Sequence, residues 1–327
     1  MNALSRRTRI LIALAAATVL ASLAVGYTLL ASEPADGGTT NRATVDKSAL
    51  AAGPRLQVLS NGRLSTVSRN DPAGPRAVSP LQCDRAYAAA GTVACLRPVD
   101  PLKATQLVIL DSDLRRQRAV PVTGFPNRLR VSASGRMVAW TLFVDGHSYA
   151  ANGFSTQTGI LDTRNGRLIR SLEEFKVTRH GGPYRAADIN FWGVTFATDD
   201  NRFYATMSTA GHRYLVEGDF AAKSVRTLVD NVECPSLSPD GTRIAFKAAV
   251  GGDPHRGWRL STLDLTTLRI TPLAETRSVD DQPAWIDDST IVYALQRNDG
   301  INNIWSLPAD GTGAPRLLVP EANSPAP

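Results

Sequence analysis

The segment Ser236-Leu-Ser-Pro-Asp-Gly-Thr-Arg-Ile-Ala-Phe246 constrains the fold more than any other part of the chain, because variants of it return. A short apolar run ends in a Pro-Asp-Gly turn, and an alternating apolar run follows, which is the pattern of a β-hairpin. Related stretches are Val131–Trp140, Thr195–Tyr204 and Ala284–Tyr293. With the turn glycine or its equivalent as anchor, the repeats fall at Gly91, Gly135, Asp200, Gly241 and Ser289, at intervals of roughly 40 to 65 residues. All-β units of this size cannot bury both faces alone, and a ring of them does so; the pattern predicts an all-β chain folded as a β-propeller.

Each hairpin is followed by a third and a fourth strand, as in Trp258–Leu265 with Arg269–Leu273 and Asn303–Ala309 with Pro315–Val319. Five blades result. Leu56–Ser60, Arg63–Ser68 and Arg76–Ser79 read as the outer three strands of a sixth, and the tail from Glu321 is the candidate for its missing innermost strand. Closing a ring with strands from both ends removes an exposed sheet edge. A six-bladed propeller is therefore expected over residues 55–327, with five blades and an N-terminal appendage as the alternative.

The formal net charge is +6, and Arg6, Arg7 and Arg9 account for half of it. The remaining charges alternate in sign along the chain, which argues against a clustered basic face for nucleic acid. Residues 10–32 carry no charge; as a helix they would measure about 34 Å, enough to span a bilayer core of about 30 Å. Arginines before the run and none just after it place residues 1–9 in the cytoplasm and the rest outside. An uncleaved transmembrane signal anchor and a cleaved signal peptide both stay open. The first gives a single-pass cell-membrane protein with an extracytoplasmic domain, the second a secreted one. Residues 33–54, rich in Ala, Gly, Thr and Ser, read as a flexible linker.

Of the three cysteines, Cys83 and Cys95 flank the hairpin Asp84–Ala94, and Cys234 stands apart. An oxidising compartment permits a Cys83–Cys95 disulfide. A one-residue slip of register would instead put the two on opposite faces and leave three buried thiols. No Cys or His pair has metal-ligand spacing, so neither a metal nor a cofactor is expected.

Ser238–Phe246, the Asp280-Asp-Gln-Pro-Ala-Trp285 approach to the next hairpin, Leu263-Asp-Leu265 and Trp305-Ser-Leu-Pro-Ala-Asp-Gly311 resemble the TolB-like propellers of the WD40-like repeat class, in particular membrane-anchored actinobacterial ones. The resemblance covers residues 55–327 and is sharpest in the last two blades. It implies a binding or scaffolding module. TolB itself carries an additional N-terminal α/β domain, whereas this chain has an apolar segment and a short linker in that place.

Eight residues before each anchor stand Cys83, Asn127, Trp192, Glu233 and Asp281, with Asp188, Asn190 and Asp280 close by in sequence. In a propeller this position precedes the innermost strand, at one mouth of the central channel. Carboxylates converging there would hold a cation or a basic peptide group. Glu233, Asp280 and Asp281 lead the candidate binding residues, followed by Asn127, Asp188, Asn190 and Trp192. No catalytic residue is assigned, since no Gly-x-Ser-x-Gly elbow is present. Long connections, Phe143–Gly153, Val250–Gly257 and above all Glu173–Ala187, are further candidates. Trp140, Trp258, Trp285 and Trp305 read as blade core, and Trp192, also in a strand, has that reading beside its place among the candidates. The expected function is a non-catalytic, monomeric ectodomain that engages an envelope protein or peptide through its loop face and channel. The alternative is a lyase or hydrolase acting on an envelope polysaccharide in the channel.

Overall fold

The structure, a computed structural model, describes residues 53–98, 105–144 and 155–327, together with Arg7, Thr18 and Leu20. All of the predicted membrane segment except Thr18 and Leu20, and nearly all of the linker, lie outside the described residues, as does most of the Phe143–Gly153 connection. Among the described residues no helix is long and apolar enough to cross a membrane.

Six antiparallel sheets form six blades. Taken from the innermost strand outwards, blade 2 is Arg85–Ala89, Thr92–Pro98, Thr105–Leu110 and Arg116–Pro121. Blade 3 is Phe125–Val131, Met137–Val144, Ser155–Asp162 and Leu168–Ile169. Blade 4 is Asn190–Phe196, Arg202–Thr209, His212–Asp219 and Ser224–Asp230. Blade 5 is Glu233–Leu237, Arg243–Ala249, Trp258–Asp264 and Ile270–Pro272. Blade 6 is Ala284–Trp285, Thr290–Gln296, Asn302–Pro308 and Arg316–Val319. Blade 1 is made from both ends: Arg55–Ser60, Arg63–Ser68 and Arg76–Gln82 take Asn323–Ala326 as their innermost strand. Gln57 pairs with Ala326 and Leu59 with Asn323. The six-bladed reading holds and the five-bladed alternative does not.

The repeat anchors sit where the turns need them. Gly91, Gly135, Asp200 and Gly241 all have φ between 55° and 81°, a left-handed conformation open to Gly and tolerated by Asp. Gly135, Asp200 and Gly241 each donate their N–H to the carbonyl three residues back, Ser132, Ala197 and Ser238 respectively.

Alternation along the strands sends successive side chains to opposite neighbours. Val93 and Cys95 pack with blade 1, while Ala94 and Leu96 pack with Leu129, Trp140 and Leu161 of blade 3. Six such clusters fill the six seams between adjacent blades, the last joining Val292 and Ile304 of blade 6 to Leu56 and Val58 of blade 1. Each fully buried Leu, Val or Phe contributes about 1.5–3 kcal/mol. No blade has both faces covered until the ring closes. Cys83 and Cys95 form a disulfide across the entry to blade 2, with Cα atoms 5.5 Å apart, and Cys234 is a buried free thiol.

One segment departs from expectation. Glu173–Ala187 is not an open loop: a 3-10 turn at Leu172–Glu174 leads into a hairpin, Lys176–Arg179 with Gly182–Tyr184. Lys176–Arg179 adds in parallel to Ser224–Asp230 and widens blade 4 to six strands. The reason is apolar: Leu172, Phe175 and Val177 are buried in the seam between blades 3 and 4.

Candidate functional site

The innermost strands start together at one mouth of the channel, and several are bulged there. Register shifts interrupt Phe125–Val131 between Pro126 and Arg128, Asn190–Phe196 between Trp192 and Thr195, and Glu233–Leu237 between Glu233 and Ser236. A bulge re-aims side chains and increases local twist. Cys234 takes φ 49° inside the third. Gly193, in the second, must be glycine, since a Cβ there would lie 2.7 Å from the Cys234 Cα.

The bulges bring ionised groups of blades 2 to 5, and of the segment leading into blade 6, to one place. Glu233, 2% exposed, has its Oε1 2.6 Å from Arg213 Nε and its Oε2 3.5 Å from Lys247 Nζ. The Arg213 N–H is misdirected, so Oε1 accepts no hydrogen bond. Burial holds this carboxyl above its ordinary pKa, against the pull of Lys247 and Arg213. Lys247, 4% exposed, bonds to Asp280 Oδ1 and lies 4.0 Å over the Trp258 ring. Burial, the largest influence, acts to lower the Lys247 pKa, but the Cys234 sulfur, Glu233 and Asp280 raise it overall. Asp280 reaches the open mouth with its side chain 69% exposed. Burial works to raise its pKa, and Lys247, Arg128 and Arg85 outweigh that and lower it.

Blade 3 supplies the opposing cations. Arg128 donates to the carbonyls of Asn127, at 3.0 Å, and Asp280, at 3.3 Å, and stands 3.7 and 3.8 Å from the Asp280 and Asp281 carboxylates. Arg130 donates to the Tyr87 hydroxyl and the Pro283 carbonyl and lies over the Tyr87 ring. Both arginines are over nine-tenths buried, and the Nε of each has no partner. Arg85 of blade 2 is half-buried beside them and makes no hydrogen bond or ion pair with the described residues. Burial lowers its pKa, and Arg128 adds to that while Asp281 opposes it. Gln282 stitches the seam below by donating to the carbonyls of Val194 and Pro235.

Of the sequence candidates, the structure gathers Asn127, Glu233, Asp280 and Asp281 at this mouth. It ties Asp188 and Asn190 into the blade framework instead. Asp188 accepts from the Thr209 hydroxyl and the Ala210 N–H, and Asn190 accepts from the Thr156 N–H. Trp192 is 4% exposed in the blade wall. Trp140 and Trp285 are likewise buried, but Trp258 and Trp305 are half-buried, each beneath a cation, so the reading of Trp258 as core gives way to a place in the mouth. Arg85, Arg128, Arg130 and Lys247 were not singled out from sequence. The available signal was the pair of arginines at alternate positions in Phe125–Val131, an otherwise apolar inner strand.

Carboxylates are therefore neutralised here rather than left free for a cation. Among the described residues no group of three His, Cys, Asp or Glu could hold a metal ion. The mouth opens onto a cavity of about 30 Å³ bounded by Arg85, Asn127, Arg128, Asp281, Ser324 and Pro325. A larger cleft of about 190 Å³ lies between blades 1 and 6, where the one lining charge, Arg69, is already bonded to the Ile286 carbonyl.

No protein-family model matches the sequence, and no curated protein matches it. Solved structures do. TolB from Acinetobacter baumannii superposes with a TM-score of 0.60 at 16% identity, over 83% of this chain and 66% of that one, just under two thirds of its length. A putative TolB from Agrobacterium tumefaciens gives 0.50 at 12% identity, over 83% and 90%. A puromycin-hydrolyzing peptidase from Mycobacterium tuberculosis gives 0.46 at 13%, over 86% and 55%. At these identities the likeness establishes the fold, a TolB-like six-bladed propeller.

Proposed function

We propose that this protein is a non-catalytic binding module of the cell envelope, held at the membrane by residues 10–32 with the propeller outside, and that its ligand or partner engages the channel mouth. The observation that carries this reading is the cost of the mouth itself. Arg128, Arg130, Glu233 and Lys247 are over nine-tenths buried, and three of their polar atoms lack hydrogen bonds. Buried charges seldom improve on a well-packed apolar core, and unpaired donors are worse. Such an arrangement is expected where a ligand completes it. The Cys83–Cys95 disulfide supports an oxidising location.

The test uses the full chain in detergent as bait on native envelope extract. Two variants serve as controls: Asp280→Ala/Asp281→Ala at the mouth and Asp264→Ala at the far rim. A partner retained by the parent and the rim variant but lost by the mouth variant supports the reading. Partners retained equally by all three would overturn it.

A further inference from the structure

We infer that Arg85 and Arg128 form an anion subsite inside the mouth, and that its ligand is a carboxylate carried at the end of a larger molecule. This deepens the binding role proposed above and rests on it.

Charge comes first. Arg85, Arg128, Arg130, Lys247 and Arg213 meet Glu233, Asp280, Asp281 and, beside Arg85, the exposed Asp84, so cations still exceed carboxylates. The excess lies on the blade 2–3 side. Lys247 and Arg213 are committed to Glu233 and Asp280, whereas among the described residues Arg85 makes no hydrogen bond or ion pair and Arg128 has only long contacts to acidic groups. The Nε donors of Arg128 and Arg130 are buried and unsatisfied. An ionised acceptor entering here gains charge-assisted hydrogen bonds that none of the described residues now makes.

Size and surroundings select the anion. One water needs about 10–15 Å³ by this measure, so a cavity of 30 Å³ admits roughly two. Two oxygens on one carbon fit that room, and a sugar ring or a folded chain does not. Asp281 lines the same cavity, and Asp280 and Glu233 stand nearby. These carboxylates offset most of the cationic charge, so the remaining excess is balanced by a single carboxylate rather than by a multiply charged anion. Leu129, Ala86 and Pro325 in the wall offer apolar contact to the carbon that bears the carboxylate. A peptide C-terminus and a small free acid share this chemistry.

Titration of the full chain in chloride-free buffer with Ala-Ala-Ala, with its C-terminal amide and with acetate separates the possibilities. The free acid is expected to bind at least tenfold more tightly than the amide. Arg85→Gln should weaken the acid at least tenfold and leave the amide unchanged. Acetate displacing the acid indicates that a carboxylate alone suffices; failure of acetate to displace it indicates recognition of a peptide terminus. Equal binding of acid and amide, no binding of either, or an unaffected Arg85→Gln variant would overturn the subsite. If equal binding is lost in Asp280→Ala/Asp281→Ala, the binding role survives without the carboxylate. If envelope capture fails as well, both fall.

Discussion

The two faces of the propeller carry carboxylates in opposite settings. At the turn rim, Asp264 accepts from the Thr266 and Thr267 N–H groups and the Thr267 hydroxyl, and Asp310 accepts from the Thr312 N–H and hydroxyl. Hydrogen bonds from those backbone and side-chain donors hold both carboxyls below their ordinary pKa. At the mouth, Glu233 has only cations for partners, no well-aimed donor at Oε1, and a pKa raised by burial. Rim carboxylates stabilise turns with neighbours two or three residues away. Mouth carboxylates are held by groups farther off in sequence, and burying charges there is costly.

The largest effect tests what both faces depend on, the closed ring. Removing the chain from Glu321 deletes the innermost strand of blade 1 and opens the seam holding Leu56, Val58 and Ala284. The melting temperature should fall by about 10 °C. A neutral truncation would mean that closure through Asn323–Ala326 contributes nothing.

Next, Lys247→Met leaves Glu233 without its buried counter-charge and should cost about 3 kcal/mol at pH 7 in urea unfolding. The loss should shrink at pH 4, where Glu233 can take a proton. A cost independent of pH would show that packing, and not charge, is what Lys247 provides.

Removing the Cys83–Cys95 disulfide closes a comparison within blade 2, since its short loop predicts a loss of about 3 kcal/mol. Cys83→Ala/Cys95→Ala, measured by denaturant midpoint without reductant, reads it directly. A loss below about 1 kcal/mol would place the constraint in the strand pairing of blade 2 instead.

The smallest effects are the pH slopes that distinguish the faces. Glu233 has a raised folded pKa, so its contribution is full below the unfolded value near 4.5 and declines as pH rises through the folded one. Glu233→Gln should therefore gain stability relative to the parent between pH 4 and pH 7. Asp264 has a lowered folded pKa, so its contribution is present above about 3.8 and is lost as pH falls. Asp264→Asn should accordingly lose stability at pH 7 and match the parent near pH 2. Parallel slopes for the two variants would erase the distinction between rim and mouth.

The same contrast explains what was legible in the sequence. Turn anchors such as Gly135 and Gly241 are local devices, so the hairpins, the blade count and the closing role of the tail follow from short patterns. Asn127, Glu233, Asp280 and Asp281 were reached by counting back from those anchors. Their partners were not, because Arg128 meets the Asp280 carbonyl across 152 residues and Arg130 meets that of Pro283 across 153. Bulges add a residue within the inner strands and shift which side chain faces the channel, as at Cys234, so a fixed offset cannot name every group. The blade 4 hairpin was missed because His180-Gly181 lies inside a polar stretch whose Phe175 and Val177 give only a brief alternation.

The most direct test of the account is the unfolding midpoint of Arg85→Met. If the mouth is built for a ligand, losing an unpartnered cation that is already partly desolvated should leave stability unchanged or raise it, with the hydrophobic replacement covering Ala86 and Leu129. A clear fall in the midpoint would contradict the account, because Arg85 would then hold the fold together and the charge at the mouth would be structural.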